Sequence, residues 1–356
     1  MSNILIVTDY AAPYEGNFIE SIKELNKKVL EKKEKIIYLF PSRTKEIKWV
    51  QYLIEKEKYL IFFFKDDTFF CLKSIIKDII KKENIDVIYT HFCRHKTQLA
   101  IKTIRMFNSK VKLVSHFHNH CKVYGNFFKK SFMKLAYKLY EGDLNIGCSK
   151  SVYDSMPYKK NKCTYVENAI KFERLDIYRD INIENTEANS FVILLFGFDY
   201  YRKGTDLAIK AIKEIDNPNI ILAISLASNK EKNKEFIMNE FEEIPKFIRF
   251  LEPINDIASY YHSADLFLSA AREEGFCYSI VEAAYCKTKI LSSDIQGVPK
   301  DIPGEYIFKS GDYNDLKNKI IEIYNSSKNN KEEAYLYVKN KYDINVWANE
   351  VLKMIN

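Results

Sequence analysis

The most informative part of this sequence reads AAREEGF at residues 270–276 and, four residues later, VEAA at residues 281–284. Two carboxylates, Glu274 and Glu282, therefore stand eight positions apart and bracket a Gly-Phe turn. The apolar run before them is typical of a short buried strand, and Gly275 allows a turn that a side chain would obstruct. The segment after the turn predicts a helix. The unpaired N–H groups and positive dipole at its start form an anion site suited to a diphosphate.

The two glutamates are predicted to face this site from different elements. We expect Glu274 to lie on the loop and Glu282 to lie in the first turn of the helix. An alternative stays open for Glu282, because Ser279 and Glu282 have the spacing of a capping box that would serve only the helix itself. A structural role is also the alternative for Glu274.

A second anion site is predicted earlier in the chain. An apolar strand at residues 191–196 leads into GFDYYRKG at residues 197–204, and a helix is predicted from Thr205. Arg202 and Lys203 therefore stand at a helix N-terminus, where the helix dipole disfavours cations. Their placement indicates that an anion binds between them, with a solvated Arg-Lys pair as the alternative.

The first half of the chain has the pattern of a matching α/β domain. A strand predicted at residues 3–7 leads, through a loop that contains Gly16, into a helix. Another strand, predicted at residues 111–115, runs into HFHNH at residues 116–120. Each strand ends in residues that can contact a ligand.

These segments, in this order, resemble the retaining glycosyltransferases of family 4. The pair Glu274 and Glu282, followed by SSDIQGVP at residues 292–299, is similar to the Glu-x7-Glu region of that family. The resemblance covers most of the chain and implies the GT-B fold, an α/β architecture of two Rossmann-like domains that face a central cleft. It also implies transfer of a sugar from a nucleotide-diphosphate donor with retention at the anomeric carbon.

The sequence departs from the family pattern at several positions. Phe198 stands where the family has an arginine, and Arg202 is the candidate replacement. The glycine-rich loop of the first domain keeps only Gly16. Ala169 stands where glycine is usual, and Lys287 interrupts a segment that is generally Gly-Thr-Pro. These differences indicate a divergent member.

The resemblance implies roles for the predicted site residues. Lys203, with Arg202, would neutralise charge on the departing diphosphate, while Glu274 would hold the donor sugar and Glu282 the ribose hydroxyls. His118 aligns with a family histidine that faces the sugar. The predicted catalytic residues are His118, Lys203 and Glu274. The predicted donor-binding residues are Gly16, Arg202, Lys203, Gly275, Phe276, Cys277, Tyr278 and Glu282. No tightly bound cofactor is expected, and the expected donor is a UDP- or GDP-sugar.

Other chemistries are conceivable for these residues. His116, His118 and His120 would share one face if their strand continued, which suits a metal ion. No carboxylate or cysteine pattern accompanies them, so no metal is predicted, and a packed histidine is the alternative for His118. A glycosidase would need two carboxyl groups about 5–10 Å apart and a free water, whereas the adjoining phosphate-binding elements favour transfer. The chain has no Gly-x-Gly-x-x-Gly motif, which argues against a dinucleotide-dependent dehydrogenase.

Length and composition agree with two domains. The chain has 356 residues, of which 47% are hydrophobic, enough for two cores. We predict an N-terminal acceptor domain at residues 1–172 and a C-terminal donor domain at residues 173–340. Residues 341–356 are predicted as a helix that packs back on the first domain.

Charge is divided unevenly between the halves. Residues 1–170 contain 31 Lys and Arg against 18 Asp and Glu, whereas residues 171–356 contain 24 against 30. The densest basic segment, residues 127–139, has Phe128, Phe132, Leu135 and Leu139 at helical spacing. Such a basic amphipathic helix can bind an anionic membrane, and the alternative is an apolar stripe in the core. No nucleic-acid recognition module accompanies the lysines, so no nucleic acid is predicted.

The expected location is the cytoplasm, peripherally on the inner face of the plasma membrane. No run of 18 apolar residues or signal peptide is evident, and seven cysteines without Cys-x-x-Cys spacing suit a reducing compartment. The expected acceptor is lipid-linked or another oligosaccharide, in capsule or other surface-polysaccharide assembly. Two alternatives stay open: a catalytically weak subunit that stabilises a partner, and a family 4 enzyme with a soluble acceptor.

Overall fold

The computed structural model describes residues 3–13, 15–65, 69–107, 110–184, 186–187, 189–226, 230–252, 254, 256–327 and 330–355. The chain forms two compact units. The first contains Met1–Ala169 and Ile344–Asn356, and the second contains Ile170–Asp343. The boundaries predicted from the sequence are residues 172 and 340. Within the described residues, no helix combines the length and the apolar character needed to cross a membrane.

The first unit is built on a parallel sheet of seven strands in the order β3-β2-β1-β4-β5-β6-β7. These strands are β1 Ile4–Thr8, β2 Ile36–Pro41, β3 Leu60–Phe64, β4 Val87–His91, β5 Lys112–Phe117, β6 Leu144–Gly147 and β7 Cys163–Tyr165. Its central strands β1, β2 and β4 are buried along their whole length. Continuous burial is typical of parallel strands that helices cover on both faces.

Helices connect these strands. They are α1 Asn17–Glu31, α2 Lys48–Glu55, α3 Phe69–Glu83, α4 His95–Phe107, α5 Phe127–Tyr137 and α6 Lys150–Ser155. Helix α1 buries apolar side chains at helical spacing, among them Ile22, Leu25 and Val29. Helix α5 is different, because none of its residues is buried.

The second unit has a parallel sheet of six strands in the order β10-β9-β8-β11-β12-β13. Its strands are β8 Phe191–Phe196, β9 Ile220–Ser225, β10 Ile248–Leu251, β11 Leu266–Ser269, β12 Lys289–Ser293 and β13 Tyr306–Phe308. Its helices are α7 Thr205–Ile215, α8 Lys230–Phe241, α9 Ala258–His262, α10 Tyr278–Tyr285, α11 Tyr313–Tyr324 and α12 Lys331–Lys341. Ile193, Leu195 and Leu268 belong to its main core cluster.

The last helix, α13 Ile344–Ile355, belongs to the first unit. Its buried residues Trp347, Val351 and Leu352 join the core cluster that also contains Ile4 and Ile6 of β1. Lys112 in β5 donates a hydrogen bond from Nζ to the carbonyl oxygen of Met354, 3.2 Å away, and so ties the end of this helix to the sheet.

Candidate active site

The predicted residues of the second unit gather at the carboxyl ends of β8 and β11. These two strands are neighbours, and β8 is where the strand order reverses, since β9 lies on its other side. In parallel α/β sheets, ligands bind in the crevice at such a reversal. Lys203 follows β8 and Glu274 follows β11, so the topology brings together two loops that are far apart in sequence.

Lys203 and Glu274 form an ion pair in this crevice. The Lys203 ammonium contacts Oε1 of Glu274, and the two side chains are only 13% and 12% exposed. Arg202 Nη1 lies 3.8 Å from the same oxygen, while its Nε binds Asp199 Oδ2 at 3.0 Å. The anion between the two cations is thus Glu274 itself. A diphosphate bound by Lys203 would compete with this carboxylate.

Phe198 contributes to the same group of side chains. Its ring centre lies 4.7 Å from Lys203 Nζ and 5.3 Å from the Arg202 guanidinium carbon, both within reach of a cation–π interaction. Arg202 therefore lies beside the residue that stands in place of the family arginine. That Arg202 replaces this arginine in function stays a prediction.

Two glycines, one after β8 and one after β12, allow their loops to approach the loop after β11 closely. Gly204 has φ +70°, and a Cβ atom there would collide with the Ala270 carbonyl oxygen. Gly297 has φ +88°, and its Cβ would collide with the carbonyl oxygen of Glu274. The Cys277 N–H donates to the Gly297 carbonyl at 3.0 Å. The backbone of the predicted diphosphate-binding turn is thus fixed by Gly297, and the Cys277 N–H is used within the protein.

Helix α10 begins at Tyr278 and has Cys277 as its N-cap, without a side-chain capping bond. The alternative of a capping box formed by Ser279 and Glu282 is therefore wrong. Glu282 is the fifth residue of the helix, so its predicted placement in the first turn is also wrong. Of the other predicted residues here, Phe276 is buried and packs on the rings of Tyr278 and Tyr342, with centroids 5.2 and 5.7 Å apart.

Glu282 is buried and binds two side chains. Its Oε2 accepts a hydrogen bond of 2.7 Å from the Tyr261 hydroxyl, and its Oε1 pairs with Arg174. Sequence reasoning missed Arg174 and Tyr261, since nothing in the local pattern links residues so far apart in the chain. The predicted contact of Glu282 with ribose stays a prediction.

His118 lies just beyond β5 in the first unit and lines a cavity of about 230 Å³. Its neighbours are His91, at the end of the adjacent strand β4, and His116. His91 Nδ1 lies 3.0 Å from His118 Nε2, and the ring of His116 stacks on that of His118 with centroids 4.6 Å apart. Burial lowers the pKa of all three histidines, that of His116 to about 3.

His120 does not join this cluster. The strand ends at Phe117, so the alternation that would place His120 beside His118 stops, and His120 Nε2 lies 3.1 Å from the Ser151 hydroxyl. The expectation that His116, His118 and His120 share a face is therefore wrong for His120. A signal for the true third member was present, because His91 stands at the end of an apolar run typical of a neighbouring strand.

The three clustered histidines offer nitrogens within 4.8 Å of one another, a distance that suits metal ligands. However, the rings of His116 and His118 are parallel to within 11°. An imidazole binds a metal through a lone pair in its own plane, so two stacked parallel rings cannot share an ion unless one rotates. This geometry favours hydrogen bonding over metal binding at His91 and His118.

Gly16 is the N-cap of α1, and its carbonyl oxygen accepts a hydrogen bond from Ile19 N at 2.9 Å. A Cβ atom there would lie 3.1 Å from the Tyr10 hydroxyl. Phe18, in the first turn of this helix, contacts both His91 and His118, with ring centroids 5.1 and 5.9 Å away. The loop predicted to approach the donor thus ends beside the histidine cluster.

Comparison with known proteins gives the family of the second unit. Residues 176–340 match the family Glycosyl transferases group 1. Among relatives, the chain is 23% identical over 326 residues to a subunit of the human phosphatidylinositol N-acetylglucosaminyltransferase, covering 86% of this chain and 64% of the human protein. It is 26% identical over 197 residues to "Protein CapJ" of Staphylococcus aureus, covering 53% and 49% of the two chains. The chain thus spans less than two thirds of the length of these relatives.

Among solved structures, the fold is similar to that of Anabaena Alr3699/HepE in complex with UDP and glucose. The TM-score is 0.76 at 15% identity, and the alignment covers 99% of each chain. This similarity confirms the predicted GT-B fold. The suspected family is confirmed at the level of group 1: residues 176–340 are a glycosyltransferase group 1 domain in a chain with the GT-B fold.

Proposed function

We propose that the chain is a retaining glycosyltransferase that moves a sugar from a nucleotide-diphosphate donor to a lipid-linked saccharide. In this reaction the bond between the anomeric carbon and the diphosphate oxygen breaks, and its electrons leave with the diphosphate. A bond from the same carbon to an acceptor hydroxyl oxygen forms on the same face, and that hydroxyl releases its proton. The UDP bound by Anabaena HepE supports a UDP-sugar as the first donor to test.

The proposed donor site uses the crevice between β8 and β11. The Lys203 ammonium would break its ion pair with Glu274 and bind the diphosphate instead. The released Glu274 carboxylate would then accept hydrogen bonds from the donor sugar. Both side chains are largely shielded from water, which strengthens their interaction with a ligand charge. A charged group positioned in this way commonly raises the reaction rate about 10²–10³-fold.

Helix α5 is the observation that carries the acceptor assignment. Three of its aromatic side chains are open to solvent, because Phe127, Phe128 and Phe132 are 78%, 80% and 71% exposed. The alternative that its apolar stripe lies in the core is therefore wrong for Phe128 and Phe132. Its lysines are exposed as well. Exposed aromatic side chains among lysines fit the surface of an anionic membrane.

A groove of about 1000 Å³ lies between α4 and α5 and supports the same class of acceptor. Apolar side chains line most of it, including Leu99, Met106 and Leu135, and the lysines Lys102 and Lys138 add positive charge. A hydrocarbon chain that carries an anionic head group matches this combination of apolar wall and cations. We therefore propose that the acceptor's lipid enters here, with the protein at the inner face of the plasma membrane and its product used in surface-polysaccharide assembly.

The test measures sedimentation with anionic vesicles of phosphatidylglycerol and phosphatidylcholine. Replacing three α5 lysines, Lys129, Lys130 and Lys134, by Ala should weaken binding about a hundredfold, since each surface lysine contributes roughly 1 kcal/mol. A control variant removes the same charge elsewhere and should bind as the wild type does. It replaces three exposed lysines in and just after α1, namely Lys27, Lys32 and Lys33.

Donor turnover is measured on the same proteins with UDP-glucose and UDP-N-acetylglucosamine. We expect the α5 variant to hydrolyse a donor as fast as the wild type, and to lose transfer to a lipid acceptor in vesicles. Equal vesicle binding by the α5 variant and the control variant would contradict the membrane assignment. It would indicate instead that a protein partner binds the exposed face of α5, because the human relative is named as one subunit of its enzyme.

A further inference from the structure

The contact between His91 and His118 joins two nitrogens that cannot both carry a proton when the rings are neutral. His91 Nδ1 and His118 Nε2 lie 3.0 Å apart, so one donates and the other accepts. Nδ1 of His118 takes no part in this contact, so it can bind a ligand in the cavity that His118 lines. The direction of the hydrogen bond therefore decides whether His118 offers that ligand an N–H or a lone pair.

The other nitrogen of His91 settles the direction. His91 is 1% exposed, and its Nε2 has no hydrogen-bond partner among the described residues. A buried N–H without an acceptor costs about 1–3 kcal/mol, and such orphaned donors are rarer than under-satisfied acceptors. The proton of neutral His91 thus belongs on Nδ1, from which it points to His118.

We propose that His91 is a positioning residue that holds His118 as the Nδ1–H tautomer. His118 then donates a hydrogen bond to an oxygen of the donor sugar. This role in sugar binding rests on the proposed function, whereas the tautomer itself does not.

Neighbouring rings hold His118 in one orientation. Phe92 stacks on it with centroids 4.0 Å apart and planes within 13°, and the backbone of Phe92 has φ +51°. A left-handed conformation is costly for an aromatic residue, so its presence directly after β4 indicates that tertiary packing imposes this placement. The ring of His116 contacts both histidines, burial lowers its pKa to about 3, and its Nδ1 lies 2.6 Å from the Tyr89 hydroxyl.

The first test is ¹⁵N NMR of the ring nitrogens in protein labelled at its six histidines. A His118→Gln variant identifies the His118 signals. We expect a protonated Nδ1 and an unprotonated Nε2 on His118 in the wild type. In His91→Asn the amide supplies a donor to Nε2 and should keep this tautomer. In His91→Asp the carboxylate only accepts, so the proton should move to Nε2.

The second test is the pH profile of donor turnover with UDP-glucose and UDP-N-acetylglucosamine. His91→Asn should retain most activity, while His91→Asp should lose about 10–100-fold at pH 8, by analogy with the loss of a partner that orients a metal-bound histidine. A carboxylate also raises the pKa of His118. The doubly protonated ring again offers Nδ1–H, so the activity of His91→Asp should recover towards pH 6. His262→Asn, on an exposed residue of the second unit that does not line this cavity, is the matched control and should behave as the wild type.

Three outcomes distinguish a failure of the tautomer proposal from a failure of the proposed function. A wild-type His118 protonated at Nε2 overturns the proposal, as do equal pH profiles for His91→Asn and His91→Asp. If neither sugar nucleotide is hydrolysed, the proposed function or its donor fails, and the NMR result still decides the tautomer. Circular dichroism of each variant shows whether the protein remains folded.

Discussion

At the scale of single residues, the Lys203–Glu274 pair is the most direct test of the donor site. Lys203→Ala should lower donor turnover about 10²–10³-fold, because the positive charge next to the departing diphosphate is lost. It should also remove the stabilisation of the protein by UDP in a thermal-shift assay. Lys210→Ala is a suitable control, since Lys210 contacts the Tyr313 ring on the same unit.

Glu274 affects the outcome of that substitution, because it stays largely buried and loses its nearer cation, keeping only Arg202 Nη1 at 3.8 Å. The double variant Lys203→Ala with Glu274→Gln removes this less well compensated charge, since breaking a buried ion pair can cost several kcal/mol. If the double variant regains stability and still does not bind UDP, Lys203 acts on the ligand. If UDP stabilises Lys203→Ala as strongly as the wild type, the donor-site assignment is wrong.

Glu305 gives a prediction on stability rather than activity. Burial raises its pKa from 4.5 to about 7, although its Oε1 accepts a hydrogen bond from Ser292. Between these two pH values the folded protein binds more protons than the unfolded chain. The free energy of unfolding therefore falls as pH rises from about 4.5 to 7. Above pH 7 the destabilisation caused by the buried Glu305 carboxylate is fully present.

Glu305→Gln should remove this pH dependence. We expect the variant to be about 2 kcal/mol more stable than the wild type at pH 8, after allowance for partial solvent exposure, and to show no gain at pH 4. Urea unfolding at both values measures the difference. Glu231→Gln, on an exposed side chain, should give no gain at either pH. A gain of equal size at pH 4 would show that charge is not the cause.

At the scale of elements, Gly297 is the residue that fixes the turn before α10. Gly297→Ala should cost about 1–2 kcal/mol for its left-handed backbone and about 1–3 kcal/mol more for the collision with the Glu274 carbonyl. Gly311→Ala separates the two effects, because Gly311 has φ +81° but nothing within 4 Å of its Cβ position. Urea unfolding and UDP binding of both variants provide the measurement. Loss of UDP binding should be confined to Gly297→Ala.

The elements themselves could be predicted from the sequence, and so could the loops that carry Lys203 and Glu274. Continuous apolar runs predict buried parallel strands, and a strand followed by a glycine-bearing turn predicts where a ligand meets the sheet. The ion pair between Arg174 and Glu282 could not be predicted, because it depends on the packing of residues far apart in the chain. The predicted position of His120 was wrong because side chains alternate between the two faces of a sheet only within a strand, and β5 ends at Phe117.

At the scale of the whole molecule, the chain crosses between its two units twice. The second crossing follows Asp343, after which α13 returns to the first unit. Where the chain enters and leaves the second unit, the Ile170 N–H donates to the Tyr342 carbonyl at 3.0 Å. The first unit is therefore discontinuous in sequence, and its core is completed only by the last helix.

This arrangement predicts that a substitution in α13 weakens a sheet that is distant in sequence. Trp347→Ala should cost about 3–5 kcal/mol, since the ring is 4% exposed and packs in the cluster that contains β1. Hydrogen exchange should quicken in β1, β4 and β5, while β8 and β11 keep their protection. Leu316→Ala, in the core of the second unit, should give the reverse pattern. Equal acceleration in both sheets by either substitution would mean that the two units unfold as one.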